Sequence, residues 1–377
     1  MSSARLPSET DVVLIGGGPA GLVAALAARQ RGFDVLVADR ARAPIDKACG
    51  EGLMPDGVAA LRRMGVELNA ADGAPFRGIR FLDNELQVEA CFPYSECGLG
   101  IRRTRLHQIL VDRAQDAGVR LCWQSQVDAL EPSGVRIGGQ SVCCRWIVGA
   151  DGFHSRVRQW IGLRPLWSGR RRIGVRQHFR VEPWTDFVEV YWSRHCQANV
   201  TPIGPDEICV AMIGTVKEVR AEDLPSLFPR LARHLQHAEP IGSRRGAITA
   251  SVRYPAVSCG NVALVGDASG SVDAVTGEGL HLAFRQAEAL TEAFVSGNLC
   301  EYSAAHRELE RMPQIMARLL LLLDGNDRLR RLAFRGLALC PSIFSALLAF
   351  HVGTRPHLPL AAPHLAFDWG MARVNRR

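Results

Sequence analysis

The stretch TDVVLIGGGPAGLVAALAARQRGFDVLVADR, from Thr10 to Arg40, decides the fold. It begins with a short apolar run, which is typical of a buried parallel strand. Glycines follow at positions 16, 18 and 21, and the next residues form an alanine-rich helical pattern. A second apolar run then ends at Asp39. The order of strand, glycine turn, helix, strand and acid predicts a βαβ unit.

The spacing of Gly16, Gly18 and Gly21 is G-x-G-x-x-G, which favours binding of a dinucleotide. The first glycine permits a tight turn, the second lets the backbone approach a pyrophosphate, and the third lets helix and strand pack closely. The N-terminus of the helix offers N–H groups and the positive end of its dipole to phosphates. Asp39 can accept hydrogen bonds from a ribose hydroxyl. The alternatives are a glycine-rich turn without a ligand and an Asp39 that only caps the next segment.

The composition is that of an ordinary globular protein of 377 residues, 47% hydrophobic and 22% charged. The net charge of +7 comes almost entirely from arginine, which favours anionic ligands or membrane surfaces, or reflects a bias toward arginine. No nucleic-acid motif, internal repeat or run of the roughly 18 apolar residues of a membrane span occurs. The 11 cysteines contain no C-x-x-C pair, so we expect free thiols and no metal. The first strand begins near residue 11, which predicts a cytoplasmic protein without a signal peptide.

Two later motifs repeat the arrangement of a buried strand that ends in glycine and an acid. They are Asp151-Gly152, which follows an apolar run, and Gly266-Asp267, which leads into the glycine-rich turn at 277–279. Residues 166–215 contain alternating runs that predict antiparallel strands, and Leu224 to His237 forms a helical pattern. Asp56 to Met64 predicts a short helix with Asp56 as its N-cap.

Together these motifs resemble the FAD-dependent oxidoreductases of the aromatic-hydroxylase (group A flavin monooxygenase) and geranylgeranyl-reductase type, over about residues 10–300. The resemblance implies an α/β fold. In it, a Rossmann-like FAD-binding domain with a parallel sheet is interrupted by a mixed β-sheet substrate domain, and a helical C-terminal region follows. The FAD-binding domain would comprise residues 10–75, 100–165 and 250–300. The substrate domain would comprise 76–99 and 166–249, and residues 301–377 would form C-terminal helices and a tail.

The resemblance also implies roles for single residues. Arg103 would contact a phosphate or ribose of FAD, Val127 the adenine through its backbone, and Asp267 the ribityl chain. The pair at 151–152 would contact both FAD and a reduced nicotinamide cofactor, and the helix start at 277–279 would face the N1–C2 oxygen edge of the flavin. Arg103 as a solvated residue and Val127 as ordinary sheet core remain alternatives. The cofactor-binding residues implied in this way are Gly16, Gly18, Pro19, Ala20, Gly21, Asp39, Arg40, Gly50, Arg103, Val127, Asp151, Gly152, Gly266, Asp267, Gly277, Glu278 and Gly279.

The run Cys49-Gly50-Glu51-Gly52 is similar to a loop that lies beside the flavin in geranylgeranyl reductases. Two positions depart from the pattern of those enzymes, because Asn199 replaces a tryptophan and Ala274 replaces a proline. The Trp-x-Trp-x-Ile-Pro motif of flavin halogenases is absent, which argues against halogenation. Cys49 has two interpretations, as a catalytic residue beside the flavin or as a small buried residue in a tight loop.

The resemblance favours a monooxygenase that uses FAD, NADH or NADPH, and O₂ to hydroxylate an electron-rich small molecule of phenolic, polyketide or lipid character. A base that activates such a substrate could come from His178, Glu189, Tyr191 or His195 on predicted strands, although each could equally be a structural sheet residue. The alternative is an FAD-dependent reductase of double bonds in an isoprenoid or similar lipid. A third hypothesis is a flavin protein that senses redox state without catalysis.

The C-terminal region is rich in leucine and interrupted by arginine. Residues 316–323 and 332–350 are apolar, and Arg328, Arg330, Arg331 and Arg335 lie in and between them. One interpretation is a peripheral membrane contact through which a long-chain substrate enters. The other is a set of helices that pack across the FAD domain with their arginines facing water.

Overall fold

The architecture consists of a parallel sheet, a larger mixed sheet and a C-terminal group of helices, in a computed structural model that describes residues 6–83, 85–194, 196–215, 219 and 224–353. The strands are β1 (Glu9–Ile15), β2 (Val35–Asp39), β3 (Gly52–Leu53), β4 (Ala74–Phe76), β5 (Gly78–Leu82), β6 (Gln87–Cys91), β7 (Gly98–Gly100), β8 (Arg120–Trp123), β9 (Val127–Glu131), β10 (Gly134–Ile137), β11 (Gln140–Gly149), β12 (Trp167–Ser168), β13 (Arg172–Arg180), β14 (Val188–Ser193), β15 (Cys196–Gly204), β16 (Glu207–Gly214), β17 (Glu239–Thr249), β18 (Val252–Arg253), β19 (Ser258–Cys259) and β20 (Val262–Leu264). The helices are α1 (Pro19–Gln30), α2 (Pro55–Arg63), α3 (Arg103–Asp116), α4 (Arg156–Trp160), α5 (Leu224–Leu227), α6 (Pro229–His234), α7 (Gly279–Ser296), α8 (Leu299–Gly325), α9 (Asp327–Leu339) and α10 (Pro341–His351).

The parallel sheet has the order β19-β20-β11-β1-β2-β8, and β10 and β9 extend it beside β11. Strands β20, β11, β1, β2 and β8 run parallel, and β1 lies in the centre with Val12 opposite both Val35 and Trp146. Helix α1 packs on β1 and β2, with Leu22 and Leu26 fully buried. This confirms the α/β class and the βαβ unit predicted from the glycine-rich stretch.

The mixed sheet has the order β17-β13-β16-β15-β14-β5-β6. Its strands come from two separate parts of the chain, 78–91 and 172–249, and they meet where β14 pairs with β5 in parallel. All other pairs in this sheet are antiparallel. The parallel sheet is thus interrupted by a second sheet, as the resemblance implied.

Three local features of the structure differ from what the sequence led us to expect. The edge strand β17 was not predicted, because its side chains are almost all exposed and show no apolar alternation. The helical pattern at 224–237 forms two helices that are separated at Phe228, since Pro229 begins a new helix. Helix α2 begins at Pro55 with Met54 as N-cap, so Asp56 is not the cap.

The C-terminal helices form a wall beside the mixed sheet. Helix α8 packs along α7, whereas α9 and α10 pack on the β5–β6 edge, where Phe334, Phe344 and Leu348 share one apolar cluster with Val88. Helices α9 and α10 thus pack mainly on the mixed sheet, and α10 also reaches the predicted FAD-binding domain through His351, which contacts the carbonyl of Thr276. The predicted tail after residue 353 lies outside the described residues.

Arg330 also differs from the expectation that the arginines of these helices face water. Its guanidinium is buried and donates to the carbonyls of Ser193 and Leu323 and to Asp327. By contrast, Arg328, Arg331 and Arg335 are exposed. Arg330 thus fixes α9 to its neighbours, whereas the other three arginines are exposed on the outer surface of the helix.

Within the described part of the chain, no single helix has both the length and the apolar composition needed to cross a bilayer. Helices α9 and α10 meet those criteria only when taken together, and they are bent by 104° at their junction.

A buried ion group joins this helical wall to both sheets. Arg172, at the start of β13, donates to Asp273 at 3.0 Å and to Asp324 at 3.1 Å, and its Nη2 also donates to the carbonyl of Ile213. Asp324 lies at the end of α8, and Asp273 precedes the glycine-rich turn at 277–279. All three charged side chains are buried, so the two carboxylates depend on Arg172 for compensation.

We expect Arg172→Leu to lower the free energy of unfolding by about 3–5 kcal/mol, because it removes the buried cation that pairs with both carboxylates. Urea unfolding followed by circular dichroism measures this change. The matched control is Arg171→Leu, since Arg171 is the exposed neighbour and should change stability by less than about 0.5 kcal/mol. Equal effects of the two substitutions would contradict a structural role for the ion group.

Candidate active site

A cavity of about 1390 Å³ lies at the carboxyl ends of the parallel strands and extends to the mixed sheet and the C-terminal helices. Segments that directly follow β1, β2, β11 and β20 line it, which is where α/β sheets bind ligands. Of the predicted cofactor-binding residues, the cavity wall includes Gly18, Pro19, Ala20, Arg40, Gly50, Arg103, Asp151, Gly152, Gly266, Asp267, Gly277 and Gly279. Those that lie outside its lining are Gly16, Gly21, Asp39, Val127 and Glu278.

The three glycines of the first turn have different surroundings. A Cβ at Gly21 would overlap the carbonyl oxygen of Gly16, and a Cβ at Gly16 would overlap the carbonyl oxygen of Ala150. These two glycines therefore permit close packing of backbone on backbone. Gly18 is different, because a Cβ there would have no atom within 4 Å and the residue faces the cavity. Its bare backbone leaves space for a ligand at the start of α1.

Two acids, one at the end of β2 and one after β11, bind backbone N–H groups of the loops around this turn. Asp39 accepts hydrogen bonds from the N–H groups of Gly17 and Ala41, both at 2.7 Å. Asp151 accepts from the N–H of Arg156 at 2.6 Å with Oδ2, and its Oδ1 is buried without a partner. Asp39 thus binds the segment that follows it as well as the glycine turn, and Asp151 binds the first N–H groups of α4, whose N-cap is Ser155.

Basic groups with incomplete hydrogen bonding face the same part of the cavity. Arg103 lies at the start of α3, and its Nε is buried without a partner. Arg176 on β13 also has a buried Nε without a partner, although it pairs with Asp46 and contacts His178. Lys47 reaches over Gly152, with its Nζ 2.9 Å from the position of a Cβ at that glycine. Lys47 and Arg176 were not predicted from the sequence, because single basic residues carry no distinguishing pattern.

The N-terminus of α7 points into the cavity through Gly277, Gly279 and Leu280. Gly277 has φ +70°, a conformation that favours glycine, and no atom lies within 4 Å of a Cβ at Gly279. The first N–H groups of a helix have no partner inside the helix, and they carry the positive end of its dipole. The site thus presents helix starts and basic side chains to one space, which suits a ligand with anionic and oxygen-rich groups.

These observations fit FAD. Helix α1, Gly18, Arg40 and Arg103 would hold its phosphates and ribose, Asp267 its ribityl chain, and the start of α7 the oxygen edge of its ring. Val127 is 4% exposed and packs in the apolar core behind the sheet, so only its backbone is left for the predicted adenine contact.

A group of titratable side chains surrounds the start of α7. Burial raises the pKa of Glu278 to about 8, with the Asp56 carboxylate adding to the effect. Burial lowers the pKa of His351, and the nearby imidazole of His281, which pairs with Asp56, acts in the same direction. His351 Nε2 lies 3.1 Å from the carbonyl of Thr276, and its Nδ1 lies 3.5 Å from Glu278 Oε1. Because a carbonyl only accepts, Nε2 carries the proton and Nδ1 faces the protonated carboxyl.

The loop that contains Cys49 is fixed by Glu51. The Glu51 carboxylate accepts from the N–H of Arg103 at 2.9 Å and lies 2.7 Å from His178 Nε2. Its backbone has φ 60°, and its N–H donates to the sulfur of Cys49 at 3.4 Å. Cys49 is half-buried and lines the cavity. The loop therefore presents the Cys49 side chain at the junction between the cofactor region and the mixed sheet.

The predicted bases do not line the cavity. His178 lies behind Glu51, and Glu189 and Tyr191 point to the opposite face of the mixed sheet from Val188 and Val190, which do line it. There the Tyr191 hydroxyl donates to Glu189 at 2.6 Å, and burial followed by the Glu189 charge raises the pKa of this tyrosine. His195 lies outside the described residues. The geometry thus gives no support to direct contact of the three described bases with a substrate in the cavity.

Glu51, His178 and Cys209 form a close buried group whose ligand atoms lie within 4.8 Å of one another. Glu51 and His178 already contact each other, the guanidinium of Arg176 lies 3.0 Å from His178, and burial raises the pKa of the Cys209 thiol. An adjacent cation and a protonated thiol both disfavour a metal ion.

The second half of the cavity is apolar. It lies between β5 and β14–β16 on one side and α8–α10 on the other. Among its lining side chains, the polar ones are Asn199, Thr201, Cys340 and His351. Asn199 Oδ1 is buried without a partner, so a ligand that donates a hydrogen bond would satisfy it.

Comparison with known proteins places these features in context. Residues 9–296 match the family described as FAD binding domain. Menaquinone reductase from Mycolicibacterium smegmatis is 28% identical over 330 residues, which cover 79% of this chain and 79% of that protein. Digeranylgeranylglycerophospholipid reductase 2 from Methanopyrus kandleri is 27% identical over 298 residues, which cover 72% and 74% of the two chains.

The fold is shared with solved structures of low sequence identity. The crystal structure of p-nitrophenol 4-monooxygenase PnpA from Pseudomonas putida DLL-E4 matches with a TM-score of 0.77 at 19% identity. The match covers 93% of this chain and 100% of that chain. It therefore includes the mixed sheet and most of the C-terminal helices as well as the parallel sheet.

Substitution by alanine can distinguish a glycine that packs against backbone from one that leaves space for a ligand. We expect Gly18→Ala to leave the stability of the apoprotein within about 1 kcal/mol, because its φ of −70° suits alanine, and to weaken FAD binding by roughly tenfold or more. Gly21→Ala should lower stability by about 3 kcal/mol, because its Cβ overlaps the backbone. Urea unfolding and flavin fluorescence titration measure the two effects. Gly336→Ala on α9 is the control. If Gly18→Ala binds FAD as tightly as Gly336→Ala does, the assignment of Gly18 to the FAD site is contradicted.

Glu278 predicts a pH dependence of stability. Its pKa is about 8 in the folded chain against 4.5 ordinarily, so the folded state retains a proton that the unfolded state has lost between these values. The free energy of unfolding should therefore fall as pH rises from about 4.5 to 8, with a contribution of up to about 1.4 kcal/mol per pH unit. Urea unfolding of wild type and Glu278→Gln at pH 5 to 8.5 measures it. The slope should be smaller in Glu278→Gln, whereas the exposed control Glu308→Gln should retain it.

Proposed function

Since the chain belongs to the FAD binding domain family and is an FAD-dependent oxidoreductase, we propose that it reduces a carbon–carbon double bond in a long, apolar, isoprenoid-type lipid. The family and the two reductase relatives confirm the resemblance to the hydroxylase and reductase superfamily. The observation that carries the finer proposal is the apolar half of the cavity, which continues from the cofactor region between the mixed sheet and the leucine-rich helices. The names of both relatives specify lipid substrates.

The lining of this region favours a chain over a compact polar molecule. Its walls include Phe81, Val190, Ile213, Leu323 and Leu337, which would pack apolar side chains against an isoprenoid chain. Pockets for small polar aromatics fix their ligands with several convergent polar groups. Here four described side chains are polar, and they come from β15, the junction of α9 and α10, and the end of α10.

The chemistry would be divided between cofactor and protein. FAD held by the residues of the cofactor region would supply a hydride, taken from a reductant that we propose to be NADH or NADPH. The substrate double bond accepts this hydride at one carbon and needs a proton at the other. Cys49 lines the cavity at the junction of the two halves, so we assign proton delivery to its thiol, with solvent restoring the proton. The C-terminal helices exclude water from the reacting bond.

Hydroxylation is the second candidate, and Asn199 is the observation that favours it. Its buried Oδ1 lacks a donor and faces the cavity, which suits the hydroxyl group of a phenolic substrate. A lipid with a hydroxylated head group would satisfy the same atom. The two reactions differ in their oxidant, because hydroxylation consumes O₂ and reduction of the double bond does not.

The test is anaerobic oxidation of the reduced holoprotein by a detergent-solubilised geranylgeranyl lipid. We expect the flavin absorbance to return without O₂, and the product to gain two hydrogen atoms by mass spectrometry. Cys49→Ser, which retains a hydrogen-bond acceptor, should slow this step by about 100-fold, within the range for loss of a general acid, while FAD content stays normal. Cys97→Ala is the control, because Cys97 is exposed and does not line the cavity.

Flavin that stays reduced until O₂ is admitted, together with a product that gains one oxygen atom, would overturn the proposal in favour of hydroxylation. An unchanged rate in Cys49→Ser would instead remove Cys49 from the reaction and leave the reductase assignment in place.

A further inference from the structure

Large apolar side chains surround the mouth of the cavity. Normally such side chains are buried, yet here seven of them both line the cavity and are at least 40% exposed. One is Ile248 on β17, and the other six, on α8–α10 and their junctions, form what we call the apolar rim: Leu319, Leu322, Leu329, Leu339, Ile343 and Leu347. Contiguous exposed apolar surface of this kind marks a site of interaction.

A stripe of arginine runs beside the apolar rim. Arg328, Arg331 and Arg335 are exposed on α9 at spacings of three and four residues, which places them on one face of the helix. The residue that follows each arginine lies on the adjacent face and is apolar or glycine, as in Leu329 and Leu332. We call these three arginines the basic stripe. Arginine beside exposed leucine is the pattern of a helix that lies in a membrane interface.

The rim is held in a fixed position. Phe334 and Phe344 are buried against the mixed sheet on the inner side of α9 and α10, and Arg330 ties α9 to the carbonyl of Ser193. The inner faces of these helices are therefore occupied, whereas their outer faces are exposed among the residues that the structure describes. The bend of 104° between α9 and α10 spreads the two helices over a surface.

We propose that the apolar rim and the basic stripe dock on the surface of an anionic lipid bilayer, so that a lipid substrate enters the cavity directly from the membrane. This inference rests on the proposed function, because only a membrane lipid needs such a route. A bilayer offers an apolar layer for the leucines and anionic head groups for the arginines. A second copy of this chain would instead bring a second basic stripe, and the net charge of +7 opposes that contact.

The experiment is flotation of the full-length holoprotein with vesicles of phosphatidylcholine alone and of equal parts phosphatidylcholine and phosphatidylglycerol. We expect binding to the anionic vesicles that weakens in high salt, because salt screens the arginines. The variant Arg328→Gln/Arg331→Gln/Arg335→Gln should lose roughly 100-fold in partitioning, since each basic residue near such a surface contributes about fivefold. Leu332→Gln, which is 69% exposed and does not line the cavity, should lose about tenfold.

Matched controls lie on other parts of the surface. Arg164→Gln/Arg170→Gln/Arg171→Gln removes the same charge from exposed positions, and Leu166→Gln removes a leucine that is 72% exposed. Both should bind like wild type. Wild type that floats with neither vesicle, or equal losses in the stripe variant and its charge control, would overturn the proposal. Light scattering would overturn the membrane proposal if wild type were a dimer that did not bind vesicles and that Leu332→Gln converted to a monomer. The surface would then bind a second copy of this chain.

Failure of the docking proposal is distinguishable from failure of the proposed function. The stripe variant should still reduce the detergent-solubilised lipid at the wild-type rate, because these arginines lie outside the cavity lining. Vesicle binding without any lipid reduction would refute the proposed function alone. Lipid reduction in detergent without vesicle binding would refute docking alone.

Discussion

The contact between Gly16 and Ala150 is the constraint on which the site depends. No side chain fits at Gly16, because the carbonyl of Ala150 occupies the space where a Cβ would lie. The N–H of Ala150 also donates to the carbonyl of Ile15 at 2.8 Å, so the ends of β1 and β11 are joined directly. This joint places Gly18 and Asp151 on one wall of the cavity, with a helix start behind each of them. Contacts between backbone atoms thus bring the two loops of the cofactor region together.

Buried polar links connect that region to the helical wall of the cavity. Arg172 joins Asp324 on α8 to Asp273, and His351 on α10 contacts the carbonyl of Thr276. Both links end in the short segment 273–276, immediately before the start of α7. Because breaking the buried Arg172 pairs would leave uncompensated charge, these links hold the helical wall to the turn before α7.

Most of the cofactor region could be predicted from sequence, because its determinants are local. The glycine spacing of the first turn and the acids after β2, β11 and β20 are each readable within a few residues. The roles that the resemblance gave to single cofactor-binding residues stay predictions. Their placement shows twelve of them on the cavity wall, which no local pattern alone could establish.

The substrate region could not be predicted, since its chemistry depends on which face of a strand meets the cavity. In β14, the polar residues Glu189 and Tyr191 suggested a reactive face. They point instead into a second core with Phe228 and Leu231, where Arg80, Trp184 and Tyr191 satisfy the Glu189 carboxylate. His351 comes from a helix more than 70 residues beyond the turn that it contacts, and nothing in its local sequence signals this.

The order of the chain separates the cofactor wall from the helical wall of the apolar half. The cofactor wall is complete by Ala283, and the apolar wall contributed by the helices begins at Met316. Between them, α7 ends at Gly297, whose φ of +75° stops the helix before α8 begins. This junction is a natural crossover point for chimaeras, in which helices from a relative replace α8–α10. Substrate range can therefore diverge by exchange of one continuous terminal segment, provided that Asp324 and His351 keep their partners in the retained part.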